Sequence, residues 1–140
     1  MTNISTKNSF FLDTSALIAL LNTRDQFHEQ IHEFLSQQDS RTKNITSNLI
    51  LNEFLTFFSR YGALQEALVF HEKLLTNPDT EIVWIDLKLH ELSCDYLSKF
   101  SDQNISFTDA SSFAIMKSKK ITRALCFDDD FKKAGFERIP

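Results

Sequence analysis

The run Ser9-Phe10-Phe11-Leu12-Asp13-Thr14-Ser15-Ala16-Leu17 changes character at its centre. An apolar run, short enough for a buried strand, stops at a carboxylate and two hydroxyls, and apolar residues then return with helical spacing at Leu17, Leu20 and Leu21. A strand feeding a helix leaves Asp13 at the strand's carboxyl end, the edge of an open α/β sheet where ligands bind. A lone Asp there is explained equally well as a helix cap. The same grammar recurs near the other end of the sequence. Ile121-Thr122-Arg123-Ala124-Leu125-Cys126-Phe127 reads as a strand that ends in Asp128-Asp129-Asp130, followed by Phe131.

Strands and helices alternate between these two points. Lys43-Asn44-Ile45-Thr46 is a short strand, and Thr46-Ser47-Asn48 caps a helix from about Leu49 to Arg60. Glu53 sits among the apolar stripe Ile50, Phe54 and Phe57, where an ionised carboxylate is costly unless paired or bound to a cation. A Glu at the stripe's edge reaching solvent is the alternative. Gly62 breaks the pattern before an amphipathic helix from Ala63 to Leu75. The β-branched and aromatic run Thr80 to Ile85 is a strand, and a helix over 86–100 follows. Ser106-Phe107-Thr108-Asp109 opens the next helix as a capping box. Alternation of this kind indicates a parallel sheet with helices on both faces.

Composition narrows the classes. The 140 residues suffice for a single domain spanning 1–140, and 42% apolar content with 14 Phe gives it an aromatic-rich core. Two Gly and two Pro leave little scope for hairpins, and no Gly-rich phosphate loop is present. Cys94 and Cys126 are too few for a disulfide framework, which points to a reducing compartment. No leader peptide precedes the first strand, and the apolar segment Phe10 to Leu21 is split by Asp13 and too short to span a bilayer. A soluble cytoplasmic protein without membrane association is therefore expected. Net charge is −4, unevenly spread: residues 1–116 hold 8 basic against 15 acidic side chains, residues 117–140 hold 7 against 4. A basic end on an acidic body could hold a nucleic-acid backbone near a carboxylate site, or be an ordinary solvated face.

Asp13, Glu53, Asp109 and Asp128 all fall at strand ends or early in the helices that follow, where a parallel sheet could gather them. Clustered carboxylates repel strongly, and stay ionised together only around divalent cations. Oxygen-only donors, with the hydroxyls of Thr14, Ser15 and Thr108 nearby, suit Mg²⁺ or Mn²⁺ rather than Zn²⁺. Hydrolysis of a nucleic-acid backbone is the natural chemistry of such a cluster. Two other motifs compete with it. His28-Glu29-Gln30-Ile31-His32 spells the HExxH pattern of zinc peptidases, although the helix spacing equally makes the two His boundary residues of an apolar face. A phosphatase with Asp13 as nucleophile would place a second Asp where Ser15 stands.

Taken together, Phe11-Leu12-Asp13-Thr14-Ser15-Ala16-Leu17, Thr46 to Glu53, Ser106 to Phe113, and Ala124 to Phe131 with Ala134-Gly135-Phe136 resemble a PIN domain, in the family's order and over nearly the whole chain. The resemblance implies a three-layer α/β/α sandwich around a mainly parallel sheet. It further implies Mg²⁺- or Mn²⁺-dependent endoribonuclease activity on an RNA substrate, often as the toxin of a toxin-antitoxin pair of the VapC type, with a homodimer and an antitoxin protein as partners. By the same resemblance Asp13, Glu53, Asp109 and Asp128 are metal ligands, and Ser15 assists near the metal. The triple Asp leaves the fourth carboxylate open between Asp128, which directly follows the strand, and Asp130. A PIN-like module that binds RNA or a partner without turnover is the alternative to a nuclease.

Overall fold

The computed structural model describes residues 8–140; the leader-free start read from the sequence falls largely on residues outside that range. Strand β1 (Phe10–Leu12) is buried at every position, with no alternation between faces. Such a strand belongs in the middle of a parallel sheet covered on both sides, and β1 is the central strand. Around it lie β2 (Asn44–Ser47), β3 (Thr80–Val83), β4 (Arg123–Leu125) and β5 (Glu137–Ile139), in the order β3-β2-β1-β4-β5. Every pairing is parallel, with Phe11 facing Ile45 on one side and Ala124 on the other. The edge strands β3 and β5 are only partly buried.

The helices are α1 (Thr14–Leu21), α2 (His28–Ser36), α3 (Asn48–Tyr61), α4 (Leu64–Thr76), α5 (Leu87–Lys99), α6 (Phe107–Lys119) and the short α7 (Asp130–Lys133). The first four pack among themselves, and α5, α6 and α7 form a second group. Right-handed crossovers put these groups on opposite faces, because the chain moves outward from β1 to β3 in one direction and from β4 to β5 in the other. The sandwich expected from the sequence is therefore present. Direction reverses between β1 and β4, and that reversal opens a crevice at their carboxyl ends.

Aromatic packing fixes the crevice walls. Phe131 of α7 is fully buried, meets Phe113 of α6 edge-on at 5.2 Å and lies 6.2 Å from Phe11 of β1. Each such ring contributes about 1.5–3 kcal/mol by leaving water. The loop carrying Asp128 is thus anchored to the core from its far side. Among the described residues no helix is long and apolar enough to cross a membrane.

Several boundaries differ from the sequence reading, for local reasons. The third strand stops at Val83 because the Ile85 N–H donates to Asn48 Oδ1 at 2.9 Å instead of to a strand. The fourth ends at Leu125, after which the Phe127 N–H turns to Ser15 Oγ at 3.1 Å. Strand β5 and helix α7, of three and four residues, are too short to show a period. Gly135, at φ 92°, makes the turn between them in a conformation that suits glycine.

The basic end read over residues 117–140 divides: Lys133 and Arg138 pair with Asp130 and Asp129 beside the acids, whereas the stretch Lys117 to Lys120 does not approach them. It lies at the carboxyl end of α6, roughly 12–16 Å along the axis from Asp109, and so at the edge where the strands begin. Lys119 is engaged there by Glu81 at 2.6 Å.

Candidate active site

Asp13 leaves β1 in extended conformation, and its backbone N–H donates to the Leu125 carbonyl of β4 at 3.1 Å. It makes no side-chain cap for α1, so the capping explanation does not hold for it. Its side chain is 5% exposed. Asp128 and Asp109 reach toward it from the loop after β4 and from the first turn of α6. Both are close enough for their charges to act on Asp13.

These three acids perturb one another. Burial pushes Asp13 up to about 7, with the charges of Asp128 and Asp109 adding to it. Burial pushes Asp109 up to about 6, helped by Asp130 and Asp128. Asp128 is raised too, first by burial and then by Asp130 and Asp129. Cys126 lies beneath them with its thiol pushed up by burial and by the charges of Asp13 and Asp128, so it stays protonated and is no nucleophile.

Each carboxylate has an oxygen tied down by a neighbour. Ser15 Oγ donates to Asp13 Oδ2 at 2.9 Å, and Thr14 Oγ1 donates to Glu53 Oε1 at 2.6 Å. The Ser106 N–H donates to Asp109 Oδ2 at 3.2 Å, completing the capping box, and the Asp130 N–H donates to Asp128 Oδ1 at 3.1 Å. A carboxylate has about four lone-pair sites. Orientation by one donor therefore leaves acceptor capacity for a cation, the arrangement second-shell partners give to metal ligands.

Among the described residues no three acidic, His or Cys side chains already converge as a closed ion cage. Oxygen donors, mutual repulsion and raised proton affinities at Asp13, Asp109 and Asp128 fit a hard divalent cation, which would supply the missing counter-charge.

The structure also sorts the triple Asp. Asp129 is held by Arg138 at 3.0 Å and Asp130 by Lys133 at 3.5 Å, whereas Asp128 faces Asp13. Asp130 still contributes to the field at Asp109. Glu53 is half-buried at the edge of the buried stripe of Ile50 and Phe54, and is tied by the Thr14 hydroxyl, next in the chain to Asp13, rather than by the other three acids. Thr108 acts through its carbonyl, which accepts from Ser111 and Ser112, and so shapes the first turn of α6. Arg138 and Lys133 belong to the basic end of the sequence, but their pairings were not read from it: the Asp130–Lys133 spacing is local, whereas the Arg138 contact across the α7 turn leaves no local signal.

The zinc-peptidase reading is corrected. His28 Nδ1 donates to the Ala19 carbonyl at 2.7 Å and His32 Nε2 to the Leu20 carbonyl at 3.0 Å. Both rings serve the last turn of α1, whose carbonyls lack helical partners. The nitrogens are aimed at a helix end rather than at a common point.

The PIN domain family profile matches residues 10–137. The chain is 33% identical over 130 residues to the 23S rRNA-specific endonuclease VapC20 of Mycobacterium tuberculosis, an alignment covering 92% of this chain and 96% of that protein. The crystal structure of M. tuberculosis VapC20, described as a sarcin-ricin loop cleaving toxin, superposes with a TM-score of 0.82 at 31% identity, over 91% of this chain and 95% of that one. FitAcB from Neisseria gonorrhoeae shares the fold at a TM-score of 0.70 and 17% identity, over 94% of this chain and 96% of that one. With a profile match over nearly its full length and 33% identity sustained across 92% of it, the chain belongs to the PIN domain family.

Proposed function

We propose that this protein is a divalent-metal-dependent endoribonuclease that hydrolyses RNA phosphodiester bonds, acting as the toxin of a toxin-antitoxin pair. The observation that carries the reading is the group of three acids, buried Asp13 with half-buried Asp109 and Asp128, each raised by desolvation and by its acidic neighbours. Family membership and the endonuclease activity of the VapC20 relative support it.

In this reading Asp13, Asp109 and Asp128 hold Mg²⁺ or Mn²⁺, with Glu53 joining directly or through water and Asp130 adding negative field. When bound, the ion supplies acidification of a water and stabilisation of the leaving oxygen. The chain's own residues do the positioning. Ser15, itself fixed by the Phe127 N–H, keeps Asp13 turned toward the crevice, and Thr14 does the same for Glu53. The water oxygen bonds to phosphorus as the bond to the 3′ oxygen breaks, leaving 5′-phosphate and 3′-hydroxyl ends. A single-domain, cytoplasmic homodimer neutralised by an antitoxin, with a basic side chain inserted among the acids, completes the proposal.

Incubation of the purified chain with RNA in Mn²⁺ or Mg²⁺ tests it. Cleavage giving 5′-phosphate ends should stop on chelation. Asp109→Asn and Glu53→Gln should each lower the rate by more than the roughly 10- to 100-fold that loss of a metal's outer partner costs, with unchanged circular dichroism. Undiminished cleavage by Asp109→Asn, or RNA binding without cleavage in either metal, overturns it.

A further inference from the structure

Beside the acids lies a cleft of about 340 Å³, whose lining includes Ser15, Gln26, Phe27, Phe57, Phe127 and Asp128. It is continuous with the candidate active site, because Ser15 hydrogen-bonds Asp13 and Asp128 faces it. Phe27 and Phe127, from segments 100 positions apart, stack at 4.2 Å with planes 1° from parallel. Asp25 fixes this arrangement from below, accepting the Phe27 N–H on Oδ1 at 2.8 Å.

We propose that this cleft is a nucleobase subsite, which receives one unpaired base next to the phosphodiester being cut. The inference rests on the ribonuclease reading and adds what the site recognises beyond the phosphate. Size favours a single planar heterocycle, since the volume is at the lower end for small-molecule sites. Charge points the same way. The lining holds Asp25 and Asp128 and no Lys or Arg, so it repels a second phosphate or an acidic peptide and tolerates the uncharged part of a nucleotide. The two rings close their facing sides against each other, so a base would lie on the outer face of the pair, the way proteins hold unstacked bases on flat aromatic rings irrespective of sequence. The exposed amide of Gln26 can then donate to and accept from a base edge, which stacking alone cannot read.

The test uses the full chain in Mn²⁺ with single-stranded oligoribonucleotides carrying one abasic position on either side of the cut. For the unaltered protein the abasic substrate should show a KM raised about 5- to 100-fold, the range expected from the stacking of one base on an aromatic ring. Phe27→Leu keeps apolar bulk but removes the ring, and should raise KM for the intact substrate by a similar factor with kcat little changed. The same variant should erase the difference between intact and abasic substrates, and Phe27→Trp should restore it. A Phe27→Leu protein that still discriminates fully against the abasic substrate overturns the subsite, as does equal cleavage of both substrates by the unaltered protein. Those results leave the ribonuclease reading intact, whereas absence of any metal-dependent cleavage overturns both.

Discussion

The two edges of the sheet treat charge in opposite ways. Where the strands begin, Lys43 meets Asp79 at 2.7 Å and Lys119 meets Glu81 at 2.6 Å, both on half-exposed surface. Where they end, Asp13, Asp109 and Asp128 have one another for neighbours, and the nearby cations Arg138 and Lys133 are held by Asp129 and Asp130. Both edges are rich in acids, so the number of carboxylates does not distinguish them. What distinguishes them is that counter-charge is supplied at one edge and withheld at the other, and withholding it from acids shielded from water costs stability.

Asp13→Asn should separate these effects most sharply. It deletes a buried group whose ionisation is opposed by burial and two neighbours, so cleavage should be lost while the metal-free protein melts at a higher temperature. A lower metal-free melting temperature would break the comparison. The same physics gives a pH dependence. Asp13 takes up its proton at about 7 in the folded chain against an ordinary value of 3.8, and Asp109 at about 6. Between about pH 4 and 7 the folded state therefore binds more protons than the unfolded state, and stability falls as pH rises through that window. Metal-free melting temperature should rise on acidification from pH 7.5 to 5, and saturating Mn²⁺ should flatten or reverse that trend.

A smaller effect is expected one bond further out. Thr14→Val keeps the shape of the side chain but removes the donor to Glu53 Oε1. Calorimetric titration should find Mn²⁺ affinity lower by about 10- to 100-fold, with the fold unchanged. The smallest belongs to the opposite edge. Lys119→Met breaks an exposed pair, should alter stability by no more than about 1 kcal/mol, and should leave cleavage as it was.

Much of this was legible because the determining signals were local. The uninterrupted burial of Phe10, Phe11 and Leu12 could be anticipated from an apolar run without alternation, and Ser47, Asp86 and Ser106 cap their helices with the side-chain chemistry a cap requires. Asp13 and Asp128 stood out by following strands, Asp109 by its place in a first turn, and Glu53 by sitting among an apolar stripe. Other features had no local trace. The HExxH pattern is a true match to a short spacing rule, yet the α1 carbonyls claim both imidazoles across 9 and 12 positions. Of the basic end, the 13-residue α6 carries Lys117 to Lys120 to the edge where the strands begin, while Lys133 and Arg138 stay beside the acids.

The sequence by itself determined the succession of strands and helices, the caps, and the placing of an acid after β1 and after β4, since each depends on residues within a few positions of one another. Only the tertiary structure decided which acids would share one crevice, which would be neutralised by Arg138 and Lys133, and that Phe27 would stack on Phe127. Those outcomes depend on the direction in which the chain crosses the sheet after each strand. A crossover brings together groups that are far apart in sequence, and no short-range period encodes which ones will meet.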